Sequence, residues 1–289
     1  MGVKLIFGCG YLGARVAQRW VDAGDRVYAI TRSDQRTADL RARGIEPIVA
    51  DVTTPRSLNL LPVAETVLWA VGYDRTAGVP IEEVYIEGLR HALAALPRDT
   101  GRVIYISSTG VYAQDDGSWV DESSECRPRR AGGQACLAAE QLLAADRLGV
   151  RTVVLRLAGI YGPGRIPRCD ELVAGRPLAA PAEGFLNLIH VEDAVDVVLL
   201  AERKVQPPRT YVVSDGRPVE RRGYYTELAR LLGAGPPTFA PPVTKSPAQV
   251  RAGTNKRIRT ERLFKELKPR LKYPSYREGL AAILRDTPS

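Results

Sequence analysis

The chain has 289 residues, 45% of them hydrophobic, and a formal net charge of +8, which is material for one large domain or a domain with a lobe. Its four cysteines form no C-x-x-C pair and have no histidine partners at metal spacing, which argues against a disulfide or zinc framework and for a reducing, cytoplasmic setting. No leader-like segment or membrane-length apolar run is read, and the positive charge is arginine spread along the chain rather than a basic stripe with interleaved aromatics. Neither a membrane nor nucleic acid is therefore expected as a partner, and a polar or anionic small molecule is.

The first apolar run, Leu5-Ile6-Phe7, has the length of one buried strand. Gly8, Gly10 and Gly13 follow in the spacing G-x-G-x-x-G, and Val16, Ala17 and Trp20 then recur at helical spacing. Strand, glycine turn and helix in this order predict a dinucleotide site. One glycine permits the tight turn, one lets backbone approach a pyrophosphate, and one lets helix pack on strand. Gly8, Gly10, Tyr11, Leu12 and Gly13 are the expected pyrophosphate contacts, at the N–H groups of the helix start.

A second strand is predicted over 27–31. The acidic residue that would bind a ribose 2′-hydroxyl belongs near its end, but the sequence there is Thr31-Arg32-Ser33 with Arg36 beyond. A planar, permanently charged guanidinium suits a 2′-phosphate. Arg32, with Ser33 and Arg36, therefore points to NADP over NAD; the alternative is that both arginines are solvated loop charges.

Further strands are predicted over 45–49, 67–71, 103–106, 153–157, 186–189 and 211–213, with helices over 81–96, 135–148, 194–203, 222–232 and 260–267. A proline-rich link around Pro236, Pro237, Pro241 and Pro242 precedes the last of these. Alternating strands and helices predict an α/β fold, a doubly wound parallel sheet of the Rossmann type. Ligands in such sheets lie beyond the carboxyl ends of the strands, so Asp51, Tyr73 and Ser108 are expected at one crevice. Residues 1–164 with 185–215 are read as the dinucleotide-binding domain. Residues 165–184 with 216–289 are read as a smaller substrate-binding lobe.

Four motifs carry a resemblance: the glycine turn, Ser107-Ser108-Thr109-Gly110-Val111-Tyr112, the run from Leu155-Arg156-Leu157 to Tyr161-Gly162-Pro163-Gly164, and Leu188-Ile189-His190-Val191-Glu192-Asp193-Ala194. With the closing Tyr273-Pro274-Ser275-Tyr276-Arg277-Glu278-Gly279-Leu280, the chain resembles the extended short-chain dehydrogenases/reductases, the group of nucleotide-sugar epimerases, dehydratases and reductases. Its details look closest to an atypical branch. The resemblance implies that Asp51 and Val52 flank the adenine and that Arg165 and Asn187 lie on substrate-lining segments. It also implies that a homodimer forms through the helices at 81–96 and 135–148. In active members a Tyr exchanges the proton, a Lys four residues on lowers its pKa, and a Ser or Thr adds a hydrogen bond. Ser108 matches the last of these. The Tyr and Lys positions are held by Gly132 and Cys136, which supply neither a phenol nor a charge. Tyr73 is the leading substitute, with Tyr112, Cys136 and His190 as further candidates that also read as packing or backbone-bonding residues. Two functions follow: an NADP-dependent redox enzyme on a nucleotide-sugar-like or other polar carbonyl substrate, or a catalytically silent NADP-binding sensor.

Overall fold

The computed structural model describes residues 1–240 and 255–286. Pro236 and Pro237 of the proline-rich link fall inside this range; Pro241 and Pro242 lie outside the described residues. The chain divides into two compact units, one of Met1–Val111, Cys126–Arg156 and Val195–Tyr211, the other of Tyr112–Glu125, Leu157–Ala194 and Val212–Ser289.

The first unit is organised by its parallel sheet. Apolar runs too short for helices form β1 (Val3–Phe7), β2 (Arg26–Thr31), β3 (Ile45–Val49), β4 (Thr66–Trp69), β5 (Arg102–Ser108), β7 (Thr152–Leu157) and β11 (Arg209–Val213). They assemble in the order β11-β7-β5-β4-β1-β2-β3. β1 pairs in parallel with both β2 and β4, so the order reverses direction beside β1, and such a switch point is where doubly wound sheets place ligands. Leu5, Ile6 and Phe7 are fully buried, as a strand covered on both faces requires.

The helices show where local pattern yields to packing. The predicted helix at 81–96 contains a π-helical turn, Glu83–Glu87, before α3 (Gly88–Ala95). The helix predicted from 135 starts four residues earlier, as α4 (Ala131–Ala145). Its first turn holds Gly132 and Gly133, poor helix formers. Packing explains Gly133: a Cβ there would sit 2.3 Å from the Gly110 carbonyl oxygen. α1 (Gly13–Asp22) matches expectation, and α2 (Gln35–Ala42) has no amphipathic signal that would have revealed it.

The second unit has its own core, built on Tyr161, Leu172, Leu178, Tyr224, Leu228, Tyr276 and Leu280. Its short strands include β6 (Trp119–Val120) and β8 (Gly159–Tyr161), and the single strand predicted at 186–189 is two, β9 (Phe185–Leu186) and β10 (Leu188–His190). Asn187 between them bonds outward. Its Nδ2 donates to the Lys256 carbonyl at 2.9 Å, and its Oδ1 accepts the Ile258 N–H at 2.8 Å. Gly159 N–H donates to the Asn187 carbonyl. Lys256 is itself buried and donates Nζ to the Tyr112 carbonyl at 2.8 Å.

Asp215 in this unit is 5% exposed. Its Oδ1 accepts the Arg217 N–H at 2.9 Å, while Oδ2 is buried without a hydrogen-bond partner among the described residues. Burial pushes its carboxyl up to about 7, with Asp193 and Glu278 adding to the rise and Arg217 opposing it. An acid whose folded pKa is raised contributes stability in full below its unfolded pKa of about 4 and loses it as pH rises towards 7. Asp215→Asn, which keeps the acceptor for Arg217, should therefore gain on the wild type by about 2–4 kcal/mol between pH 4 and pH 8 in urea unfolding. A difference constant across that range would show that the carboxyl is already ionised in the folded protein.

Candidate functional site

The glycine turn is held by close backbone approach. Gly8 has φ +89°, and a Cβ there would stand 2.3 Å from the Ala70 carbonyl oxygen. A Cβ at Gly13 would stand 2.2 Å from the Gly8 carbonyl oxygen. Any side chain at either position would separate β1 from the end of β4, or α1 from β1. Gly10 differs: among the described residues no atom lies within 4 Å of its Cβ position. Its openness suits the approach of a ligand rather than of the protein's own backbone. α1 starts at Gly13 with no side-chain cap; the turn runs straight into it, the Ala14 N–H donating to the Gly10 carbonyl at 2.9 Å and the Arg15 and Val16 N–H groups to the Leu12 carbonyl at 3.1 Å. A tight turn, an open glycine and an uncapped helix start are together what a dinucleotide pyrophosphate needs, so these residues fit the group.

The flanking side chains brace the turn. Arg36 donates Nη2 to the Cys9 carbonyl at 2.7 Å, tying α2 to the residue between the first two glycines. Arg15 donates to the Tyr11 carbonyl at 2.7 Å and covers its ring. Ser33 N–H donates to Thr31 Oγ1 at 3.2 Å. Arg32 is more than half exposed, with Nη2 3.7 Å from Asp74 Oδ2. Asp51 closes its own turn, its Oδ1 accepting the Thr53 N–H and hydroxyl. Val52 is buried and its carbonyl meets His91 Nδ1 at 2.9 Å.

Tyr73 follows β4 and Ser108 ends β5, two strands paired side by side. The Tyr73 hydroxyl donates to the Val79 carbonyl at 2.8 Å, and its ring meets Tyr85 edge-on with centroids 6.4 Å apart. Ser108 Oγ accepts the Gly110 N–H at 3.0 Å. Gly132, in the first turn of α4, is half-buried, and its Cβ position meets only Ile81 Cδ1, at 3.8 Å. Cys136 is buried at 7% exposure. Burial, with Glu140 adding to it, pushes its thiol up to about 12, so it is neither thiolate nor cation near neutral pH.

Sequence reasoning missed the polar cluster beneath Ser108. Ser107 donates Oγ to Glu140 Oε1 at 2.5 Å, and Arg156 forks onto the same carboxylate through Nε and Nη2, the latter at 2.7 Å. Both members of this ion pair are about nine-tenths buried, and a charge-assisted bidentate pair with its lone pairs filled is a rigid support. The available signal was Glu140 at i+4 from Cys136, on the same face of α4. Tyr85, on the π-helical turn, was missed too. Its hydroxyl pKa is raised, chiefly by burial and next by Cys136.

In the second unit, Arg165 is exposed, and its N–H donates to the Gly162 carbonyl. Both ends of the Asn187 amide engage backbone. His190 is buried with Nδ1 accepting the Glu192 N–H at 3.2 Å, and Tyr161 and Tyr273 pack against its ring. Tyr112 is fully buried.

A groove of about 1090 Å³ in the first unit is lined by Lys4, Arg19, Trp20, Arg102 and Glu202 among others. Lys4, Thr66 and Arg102 stand at the amino ends of their strands, away from the glycine turn, so size alone does not locate the site. No group of three or more metal-ligating side chains, and no helix long and apolar enough to cross a membrane, occurs among the described residues.

Comparison with known proteins agrees with this fold. Protein YeeZ of Escherichia coli (strain K12) is 27% identical over 275 residues, covering 93% of this chain and 95% of that protein. The 4-hydroxy-2-methyl-3-oxo-4-farnesyl-3,4-dihydroquinoline-1-oxide ketoreductase of Stigmatella aurantiaca is 27% identical over 96% of this chain and 85% of its own. A solved structure from Silicibacter pomeroyi, described as a functionally unknown conserved protein, superposes with a TM-score of 0.78 at 30% identity, covering 99% of both chains. Residues 5–214, from the first buried strand to Ser214, match the description "NAD dependent epimerase/dehydratase family", and the chain belongs to that family.

Proposed function

We propose that the protein is an NADP-preferring oxidoreductase of the epimerase/dehydratase type, acting on a polar carbonyl or nucleotide-sugar-like substrate through a non-standard active site. The observation that carries this reading is the open, uncapped glycine turn followed by Arg32 where an acidic residue would read NAD. Gly8, Gly10, Tyr11, Leu12 and Gly13 hold the pyrophosphate, Arg32 and Ser33 take the 2′-phosphate, and Asp51 and Val52 flank the adenine. Arg36, through its bond to the Cys9 carbonyl, keeps the turn in register for them. NADPH, when bound, supplies the hydride. The chain's own part is positioning and proton supply. The Ser108 hydroxyl hydrogen-bonds the substrate oxygen, and the Ser107–Glu140–Arg156 cluster holds its strand end in place. The Tyr73 phenol is the proton donor and must leave the Val79 carbonyl to act. Arg165 offers a cation to an anionic substrate, and the Asn187 clasp sets the segment beside it. The ketoreductase similarity supports carbonyl reduction; the substrate named for that relative is its own.

A second reading, an NADP-binding sensor without catalysis, is favoured by one observation. The position expected to hold the charged Lys carries a buried, neutral thiol at Cys136. Oxidation of NADPH by any member of a carbonyl panel separates the two; binding without turnover across the panel selects the sensor.

Replacing a charged hydrogen-bond partner of a phosphate costs about 1.5–3 kcal/mol. Arg32→Asp should therefore weaken NADP binding about 10–100-fold and NAD binding by less than about threefold. Equal losses for both would show that Arg32 does not read the phosphate. Cys136 should stay unalkylated by iodoacetamide in the native protein at pH 8 and react after denaturation, as mass spectrometry reads directly. Rapid native labelling would mean the thiol is activated, and would reopen it as a catalytic candidate.

A further inference from the structure

Arg32 and Asp74 follow β2 and β4, the two strands that flank β1. A contact between their side chains therefore bridges the carboxyl edge of the sheet over the end of β1, where the glycine turn begins. Asp74 is set up for that contact by its own loop. Its Oδ1 accepts the Thr76 N–H at 3.0 Å and the Thr76 hydroxyl at 2.6 Å. Its Oδ2 is the oxygen 3.7 Å from Arg32 Nη2. The Thr76 bonds also hold its pKa below the usual carboxylate value, so it stays ionised at neutral pH.

The bridge is a weak one. Its length exceeds that of a direct charge-assisted hydrogen bond, about 2.7–2.9 Å. Both side chains are about half exposed, and ion pairs in that setting contribute little to stability. A phosphate dianion offers the guanidinium more charge and a bidentate geometry, and so displaces the carboxylate.

We infer that Asp74 is a specificity-determining residue: it holds Arg32 across the glycine turn in the free protein and competes with the 2′-phosphate for it. This rests on the reading of Arg32 as the phosphate-binding residue. A cofactor with a 2′-phosphate must break the bridge, and its binding is weakened by that cost. A cofactor with a 2′-hydroxyl is nearly indifferent to it.

The test titrates the full chain with NADP⁺ and NAD⁺ by calorimetry, in the wild type and in Asp74→Asn, Arg32→Ala and the double variant. Asparagine keeps the oxygen that Thr76 binds, and both positions are exposed enough to leave the fold intact. Asp74→Asn is expected to tighten NADP⁺ about two- to fivefold, the scale of an exposed ion pair, and to leave NAD⁺ within about 1.5-fold. In the Arg32→Ala background the gain should vanish. Unchanged or weaker NADP⁺ binding in Asp74→Asn, with Arg32→Ala still selective against NADP⁺, overturns the inference and leaves the reading of Arg32 standing. Equal losses of both cofactors in Arg32→Ala overturn that reading, and the competition with it.

Discussion

The backbone of Gly8 runs so close to the backbone of Ala70 that no side chain fits between them. The same holds one turn later, where Gly13 lies against the Gly8 carbonyl. These two contacts let β1 stand between β2 and β4 with α1 pressed on its end, and the rest of the first unit is arranged around that wedge. Arg36 reinforces it from α2 through the Cys9 carbonyl. Close backbone packing of this kind tolerates no Cβ, so the glycine pattern is a steric requirement first. The open side of Gly10 is what turns the requirement into a binding surface.

Around Ser108 the scaffold is set by close packing and by one buried ion pair. α4 approaches the end of β5 through Gly133 against Gly110, at a distance only glycine permits. The polar support below it, Glu140 with Arg156 and Ser107, is buried and fully engaged. Leaving one partner of such a pair alone costs several kcal/mol, so the cluster supports the fold here whatever the reaction. Cys136, by contrast, is a small buried side chain whose thiol stays protonated. Cys136 lies on the helix between the packing contact at Gly133 and the anchor at Glu140, and Gly132, one residue before that contact, has no side chain.

The second unit depends on contacts far apart in sequence. Asn187 clasps residues 256 and 258 with one amide, and Lys256 reaches back to the carbonyl of Tyr112. The short strand Arg257–Ile258 pairs in parallel with Trp119 and Val120. Buried polar groups need their partners, and here the partners come from three separated stretches of chain. Asp215 departs from that rule through Oδ2, and the cost appears as a carboxyl that holds its proton up to about pH 7.

The chain itself declared the α/β class, the glycine turn, the arginine in place of an acid after β2, and Gly132 and Cys136 where the resemblance expects Tyr and Lys. Each is a local signal: a period, a spacing, or a residue type at a counted position. All seven strands of the main sheet were legible to within two residues at each end for the same reason, because buried parallel strands are uninterrupted apolar runs. Tertiary structure decided what local pattern cannot encode. The start of α4 at Ala131 follows from Gly133 meeting Gly110, the division of β9 from β10 from the distant bonds of Asn187, and the partners of Glu140 from the packing of α4 on β5 and β7. The Arg32–Asp74 bridge exists because two loops 42 residues apart leave neighbouring sides of one strand. Spacing along a chain determines which groups share a strand or helix face. Which groups meet across the sheet depends on strand order, and strand order is a property of the folded chain.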